Sequence, residues 1–516
     1  MRALLVTSVG VTCAAALTLP LAAPASSAPV LSAASARPPS LTTEPGTDTT
    51  DTSGTSRTTA PDTITSDTTA PDGAEPRAAK SAAAPAGSTQ SLPLAPLAVP
   101  SNRVAGAPAV QGLPQRDARP FSLVGVVWDD AEAELHGTVQ VRTRATGTTR
   151  WSDWQDVETH NADHAADLGS AEREGRTVRG ATAPLWVGDS DGVEVRVRPE
   201  SPAAPESPAA PESPGSQDRA ATPVPLPEGM RLELVDPGED PAPEPARGAP
   251  ANRAAVPAVF ADTPPTAALP EVLTAEIAAA SAVNAEVAEL GASVIPALTQ
   301  AETAESVNLA PGAKPYIGPR PRIVTRKGWG ADEKLRERNF GYTKSVKAAF
   351  VHHSATGNNY TCKQAPSVLR SIYRYHVKSS GWRDFGYNFA VDKCGNIYEG
   401  RAGGVTKAVL GAHTLGFNTN TMGIAVLGSY GSTNPPAAAV TAVSKLTAWK
   451  LGLFGANPKG KVTLVSGGSN KYKKGVKVKM NVISGHRDGF ATECPGARLY
   501  KKLGTARTSS AKLQGR

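Results

Sequence analysis

KSVKAAFVHHSATGNNY, residues 344–360, holds the pattern from which the C-terminal part of this chain can be read. Lys344 to His352 reads as a buried strand ending at His352, because its apolar core runs on without alternating with polar residues. GIAVLGS (423–429) has the same continuous apolar character and suits a central strand covered on both faces, while NVISGH (481–486) reads as a strand that delivers His486 at its end. Helical spacing appears between them. In SVLRSIYRYHVKSSG (367–381), Val368, Leu369, Ile372 and Tyr375 or His376 share one face and Gly381 supplies the stop; AAAVTAVSKLTAWKLGLFG (437–455) is a second helix. YNFAVDKCGNIYEGR (387–401) reads as a hairpin turning through Gly395 and Asn396. The expected fold class is α/β, a mixed central sheet flanked by helices.

Two of these strands end in histidine, and SGHRDGFATECPG places Cys494 eight residues after His486. Two imidazoles and a thiolate, His352, His486 and Cys494, are a three-ligand set for zinc that leaves the fourth tetrahedral corner open for water, as catalytic rather than structural zinc sites do. The cofactor expected is therefore Zn2+, and the chemistry hydrolytic. Thiol arithmetic points the same way. Of four cysteines, Cys13 lies in a stretch expected to be removed, leaving Cys362, Cys394 and Cys494. In an exported chain an odd thiol is free, bound to another chain or held by metal; Cys362 would pair with Cys394, and Cys494 would bind zinc.

Outside this region the composition changes repeatedly. Residues 1–28 have the layout of a secretory signal, with Arg2 as the only charge, an apolar run from Ala3 to Ala23 and the small-residue exit Ser26-Ser27-Ala28. Nothing downstream matches a membrane span of about 20 apolar residues, so a secreted or wall-associated protein with no membrane contact after signal cleavage is expected. Residues 29–118 are dominated by Ala, Pro, Ser and Thr, too poor in bulky apolar groups to offset the entropy of ordering, and are expected to be disordered. From 119 to 238 short alternating runs, FSLVGVVW, TVQVRTR, APLWVG and GVEVRVR, suggest a small antiparallel sandwich or barrel. A Pro-rich insert at 199–226, with its SPAAPE repeat, precedes the last strand, MRLELVDPG. Trp151 and Trp154 are either sugar platforms or core and turn anchors. Residues 239–318 read as an Ala/Pro-rich linker with one helix between Pro270 and Leu290, and 506–516 as a basic tail.

Charge divides the chain. From Pro315 onward there are 33 Lys+Arg against 8 Asp+Glu, or +25; the preceding residues hold 54 − 33 = 21 basic and 47 − 8 = 39 acidic groups, or −18. Such a basic region on an exported protein could meet nucleic acid, anionic wall polymers or acidic peptides. No nucleic-acid-binding motif accompanies it, so no nucleic-acid partner is expected, and KYKKGVKVKM (471–480) reads as a solvated hairpin face.

WGAD (329–332), HHSATGNNY, GWRDFGYNFAVD, YEGRAGG, GAHTLGFNTNTMGIAVLG and SGHRDGFATECPGARLY, in this order, resemble the peptidoglycan recognition protein and zinc-dependent N-acetylmuramoyl-L-alanine amidase family over about 319–505. The resemblance implies that His352, His486 and Cys494 are the zinc ligands, with His353 on the other side of its strand. It implies that Tyr387 stands beside the metal-bound water and that Thr492 occupies a position that is threonine in the recognition proteins and lysine in the phage enzymes. The implied reaction is zinc-assisted hydrolysis of the amide joining N-acetylmuramic acid to L-alanine of the stem peptide, making peptidoglycan the partner. Arg401 is either a grip for a stem-peptide carboxylate or half of a structural ion pair. Gly381-Trp382 resembles the pair found in binders of diaminopimelate-type stems. Two alternatives remain: a non-catalytic peptidoglycan-binding protein of the same fold, whose members typically lack the cysteine ligand, and a cysteine peptidase using Cys494 with His486.

A Cys362–Cys394 bridge closes a loop of about 30 residues and should contribute roughly 3–4 kcal/mol. Peptide mapping under non-reducing conditions is expected to recover that pair and to find Cys494 unbridged.

Overall fold

The computed structural model describes residues 87–97, 109–159, 164–200, 224–241, 273–307 and 315–516. The signal-like segment, most of the low-complexity segment and the SPAAPE repeat lie outside these residues.

The N-terminal part is an eight-stranded antiparallel network. Along its main path the order is Thr89–Pro93, Arg231–Val235, Gln111–Trp128, Leu185–Pro199, Gly137–Ala145 and Gln155–Val157. Alternation explains which side each residue takes. Val139, Val141, Val193, Val195 and Val197 are buried completely, whereas the residues between them, such as Arg142, Glu194 and Arg196, form polar pairs on the other face. Arg142 lies 5.1 Å and Arg196 3.9 Å from the centroid of the Trp154 ring, so the tryptophans are partly covered by guanidinium groups.

Three boundaries differ from expectation. APLWVG and GVEVRVR belong to one strand, Leu185–Pro199, and the partner strand begins at Gln111, ten residues before FSLVGVVW; bulges between Leu113 and Leu123 absorb the register shifts. Thr89–Pro93 also enters the sheet although its surroundings read as low complexity. An edge strand needs partners on one side only, so partial burial of Leu92 and Leu94 suffices, and proline is tolerated there.

The C-terminal part is a seven-stranded mixed sheet ordered Ile483–Gly485, Ala348–His353, Thr421–Val426, Phe389–Val391, Ile397–Glu399, Ile323–Val324, Val294–Ile295. The first three run parallel, and the hairpin through Gly395 is antiparallel. Ala437–Leu453 covers one face through Val443, Leu446 and Trp449. Ala365–Arg374 covers the other with Val368, Leu369 and Ile372, and Gly381 follows its terminal turn at φ +78°.

Two further segments are ordered beyond expectation. The stretch expected as a linker contributes the helix Ala275–Ala282, capped by Thr274, the edge strand Val294–Ile295 and the helix Gln300–Glu305, which carries a capping box between Thr299 and Glu302. The expected basic tail is the end of the helix Leu503–Leu513, held by burial of Leu503, Ala506, Ser510 and Ala511. In both, small residues such as Ala280, Thr303, Ala506 and Ala511 supply much of the buried surface.

The two parts share a core. Leu123, Val127, Ala181, Trp186 and Val235 of the all-β part join Leu369, Ile372 and Tyr375 in one cluster. The Tyr375 hydroxyl donates to the Thr182 carbonyl at 3.1 Å, and a Cβ on Gly125 would lie 2.4 Å from that hydroxyl, which is why glycine stands there.

Asn284 anchors the former linker. Its amide donates to Glu399 at 2.8 Å and its carbonyl oxygen accepts the Val405 N–H at 2.8 Å, with all three groups buried. Burial pushes the Glu399 carboxyl up to about 7. Asn284→Ala is expected to cost about 2–4 kcal/mol in urea unfolding, because two buried groups lose a partner at once.

Candidate active site and metal centre

Strand geometry brings the first two expected ligands, His352 and His486, together. Ala349 and Val351 pair with Ile483 and Gly485 in parallel register, so His352, near the end of one strand, and His486, directly after the other, reach the same rim with ring centroids 4.5 Å apart. Cys494 arrives on the following loop. Its N–H donates to the Thr492 hydroxyl at 3.2 Å and its carbonyl accepts the Arg487 N–H at 3.0 Å, fixing the thiol against the histidines.

A fourth residue joins them from the all-β part. His164 places its Nε2 3.6 Å from Cys494 Sγ, while His352 Nδ1 is 3.8 Å from the same sulfur. The ligand atoms of His164, His352, His486 and Cys494 all lie within 4.8 Å of one another, and all four side chains are buried. Zinc bonds of about 2.3 Å to sulfur and 2.0–2.1 Å to nitrogen at tetrahedral angles place S and N roughly 3.5 Å apart. The His164 and His352 separations from the sulfur, 3.6 and 3.8 Å, lie close to that edge, so this donor set fits zinc. Burial, followed by the neighbouring imidazoles, holds the His352 pKa well below its ordinary value, keeping it in the neutral form a metal requires.

The ring of His352 is oriented from behind. Thr414 Oγ1 lies 3.4 Å from Nε2, the nitrogen turned away from the sulfur, and Thr414 is itself fixed by its N–H to Asn418 and by His413 Nδ1 at 3.0 Å. His353, on the opposite side of the strand, accepts the Tyr430 N–H on Nδ1 at 3.3 Å and meets Glu158 of the all-β part through Nε2 at 3.2 Å. It is not in the ligand cluster.

The ring centroid of Tyr387 lies 5.3 Å from that of His352 and 5.7 Å from that of His164. The preceding Gly386 N–H donates to His376 Nδ1 at 3.2 Å, and burial pushes the His376 pKa down to about 3, so it stays a neutral acceptor. Trp382 stacks on His376 at 4.4 Å, and a Cβ on Gly381 would lie 2.2 Å from the Thr177 carbonyl oxygen of the all-β part. Thr492 is half-buried, with its side chain at an open cleft shared with Lys471 and Arg487. Arg401 is ion-paired with Glu172, both nearly buried. Cys362 and Cys394 form the expected disulfide, with Cys494 outside it.

Residues 342–497 match the family described as N-acetylmuramoyl-L-alanine amidase, and residues 66–216 match the family described as Rv3811 N-terminal galactose-binding domain-like. Peptidoglycan-recognition protein SC2 of Drosophila simulans is 30% identical over 185 residues, 36% of this chain and 85% of that protein. The chain belongs to the peptidoglycan recognition protein and type 2 amidase family. Human N-acetylmuramoyl-L-alanine amidase is 30% identical over 194 residues, 36% of this chain and 28% of that protein. Among solved structures, Drosophila PGRP-LB is 25% identical, covering 36% of this chain and 92% of that one, with a TM-score of 0.28.

Neither His164 nor Thr414 emerged from the sequence. His164 sits in NADHAADLGS, without a motif and 188 residues before His352, so nothing in its local pattern links it to the strands it meets. Thr414 follows His413 in GAHTLGF, inside a family motif, but a hydroxyl behind a ligand has no spacing signature. Thr414→Val is expected to weaken zinc retention about 10–100-fold in chelator competition while leaving the fold intact, since only the group orienting His352 is removed.

Proposed function

We propose that this chain is an exported zinc-dependent N-acetylmuramoyl-L-alanine amidase that cleaves the amide between N-acetylmuramic acid and the stem peptide. The observation that carries the reading is the buried set His352, His486 and Cys494 at the rim of a rigid sheet with Tyr387 beside it. Bound there, zinc would polarise the scissile carbonyl and lower the pKa of water to about 7. The chain's own residues do the rest. Thr414 fixes the His352 ring, Thr492 holds the Cys494 loop, and Tyr387 is poised to donate a hydrogen bond to the carbonyl oxygen as charge develops on it. Gly381 and Trp382 form the approach for a diaminopimelate-type stem, and Arg401 offers a guanidinium to its carboxylate. Export is supported by the signal-like first 28 residues and by the disulfide, which needs an oxidising compartment. The +25 balance of the C-terminal region suits wall polymers that carry negative charge.

A binding-only recognition protein is the second reading, favoured by His164 standing at the fourth corner. Retention of the cysteine ligand speaks against it. A cysteine peptidase is disfavoured by the complete burial of Cys494 among three imidazoles.

Mass spectrometry of purified peptidoglycan after incubation should show lactyl-ended glycan and intact stem peptides. Cys494→Ser is expected to lose both tightly held zinc and cleavage. Tyr387→Phe should keep zinc and lose about 10²- to 10³-fold in turnover. Activity that survives chelation in a zinc-free preparation would overturn the metal mechanism.

A further inference from the structure

His164 begins a segment that leads to the Gly180–Ala181 strand and lies along the amidase rim. Its contacts fall on the positions assigned above to metal and substrate. His164 faces the sulfur of Cys494, and the carboxylate of Glu172 pairs with Arg401. Arg176 donates to the Trp382 carbonyl at 3.1 Å, and the Thr177 carbonyl covers Gly381. The segment is pinned along its length. Asp167 accepts from the Gly416 N–H and the Asn418 amide, each at 2.7 Å, and Arg383 donates to the carbonyls of Ala171, Glu172 and Glu174 at 2.6–2.8 Å.

The geometry points to an intramolecular occupant of the active site: His164 is the fourth metal ligand, and Glu172 holds Arg401 in place of a substrate carboxylate. The inference rests on the amidase reading for its second half only, because the ligand set stands on its own distances. A catalytic zinc keeps one position for water or substrate, and a fourth protein ligand converts it into the closed coordination of a structural site. With His164 in place the water that should be activated has no position, and with Glu172 in place Nη2 of Arg401 is already held, leaving only the buried Nη1 for a stem-peptide carboxylate. The resting chain is therefore latent, and cleavage requires the segment to leave. Competition by substrate has a starting point, since a cavity of about 430 Å³ remains beside the segment, lined by Leu168, Val178, Trp382 and Phe490 among others. A stem peptide entering there would meet Trp382 and, by displacing the segment that carries Leu168 and Val178, would take Glu172 away from Arg401.

The test uses the full chain in three forms, wild type, His164→Ala and Glu172→Gln, each loaded with zinc or with cobalt(II) as a spectroscopic substitute. Wild-type cobalt protein should show the visible spectrum of a four-coordinate site with three nitrogens and one sulfur, unmoved by added azide. His164→Ala should give an altered spectrum that shifts with azide, and should hold zinc at least tenfold more weakly in chelator competition. Glu172→Gln should keep the wild-type spectrum. His164→Ala should hydrolyse peptidoglycan at least tenfold faster than wild type, whereas Glu172→Gln, in which His164 still closes the metal, should bind stem peptide more tightly without that gain in hydrolysis. A wild-type cobalt site that binds azide, or a His164→Ala spectrum identical to wild type, overturns the ligand assignment without needing the variant's activity. Equal hydrolysis by all three forms overturns latency while leaving the amidase reading intact. A His164-dependent spectrum in a protein that cleaves nothing in any form supports the ligand and removes the amidase instead.

Discussion

Everything at the rim depends on the parallel pairing of Ala348–His353 with Ile483–Gly485 on one side and Thr421–Val426 on the other. Parallel strands end at the same edge, so two histidines 134 positions apart in the chain meet without any local sequence device. The pairing is in turn enforced by burial. Ala349, Val351, Ile424 and Val426 face the Ala437–Leu453 helix, and a one-residue slip would exchange His352 with His353 or Val351 at the metal corner. Packing of the sheet and assembly of the His/Cys cluster therefore hang on one register. The same alternation gives His353 its separate task of holding Glu158.

A second layer of polar groups stiffens the loops above that rim. Arg326 is wholly buried and bonded to Glu333, Asp384 and the Gly400 carbonyl, while Asp384 accepts the N–H groups of Phe385 and Ala402. Such a cage is poor at adding net stability, because desolvation of its charges offsets their attraction. Its effect here is geometric. It ties down both ends of the segment that presents Tyr387 and Arg401, so neither can wander from the metal corner.

The all-β part is fastened to the amidase part both by apolar packing and by charge. Leu123, Val127 and Trp186 pack with Leu369 and Ile372, burying surface that either part alone would expose to water. Beyond that patch the contacts turn polar, with Arg176 meeting Glu337, Arg383 meeting the carbonyls of Ala171, Glu172 and Glu174, and Arg401 meeting Glu172. An interface with an apolar base and a polar outer segment allows the outer part to detach while the base stays docked. That division matches the placement of the segment bearing His164 over the rim rather than under it.

The sequence by itself determined the sheet-and-helix frame of the C-terminal part, the grouping of His352, His486 and Cys494 that could hold a metal, the Cys362–Cys394 pair and the placing of Tyr387 near His352. Each of these is written in local periodicity, in thiol arithmetic, or in motifs whose order is kept along the chain. Segment boundaries were less legible. Thr89–Pro93, Ala275–Ala282 and the end of Leu503–Leu513 use small or few apolar residues, and their order comes from surfaces supplied by distant strands and helices. Arg401 was readable as a carboxylate partner but not as the partner of Glu172. His164 and Thr414 were not readable at all. Only tertiary structure decided them, because a side chain becomes a ligand or an orienting group through the three-dimensional position of its neighbours, and His164 finds its own 188 residues away on the other half of the fold.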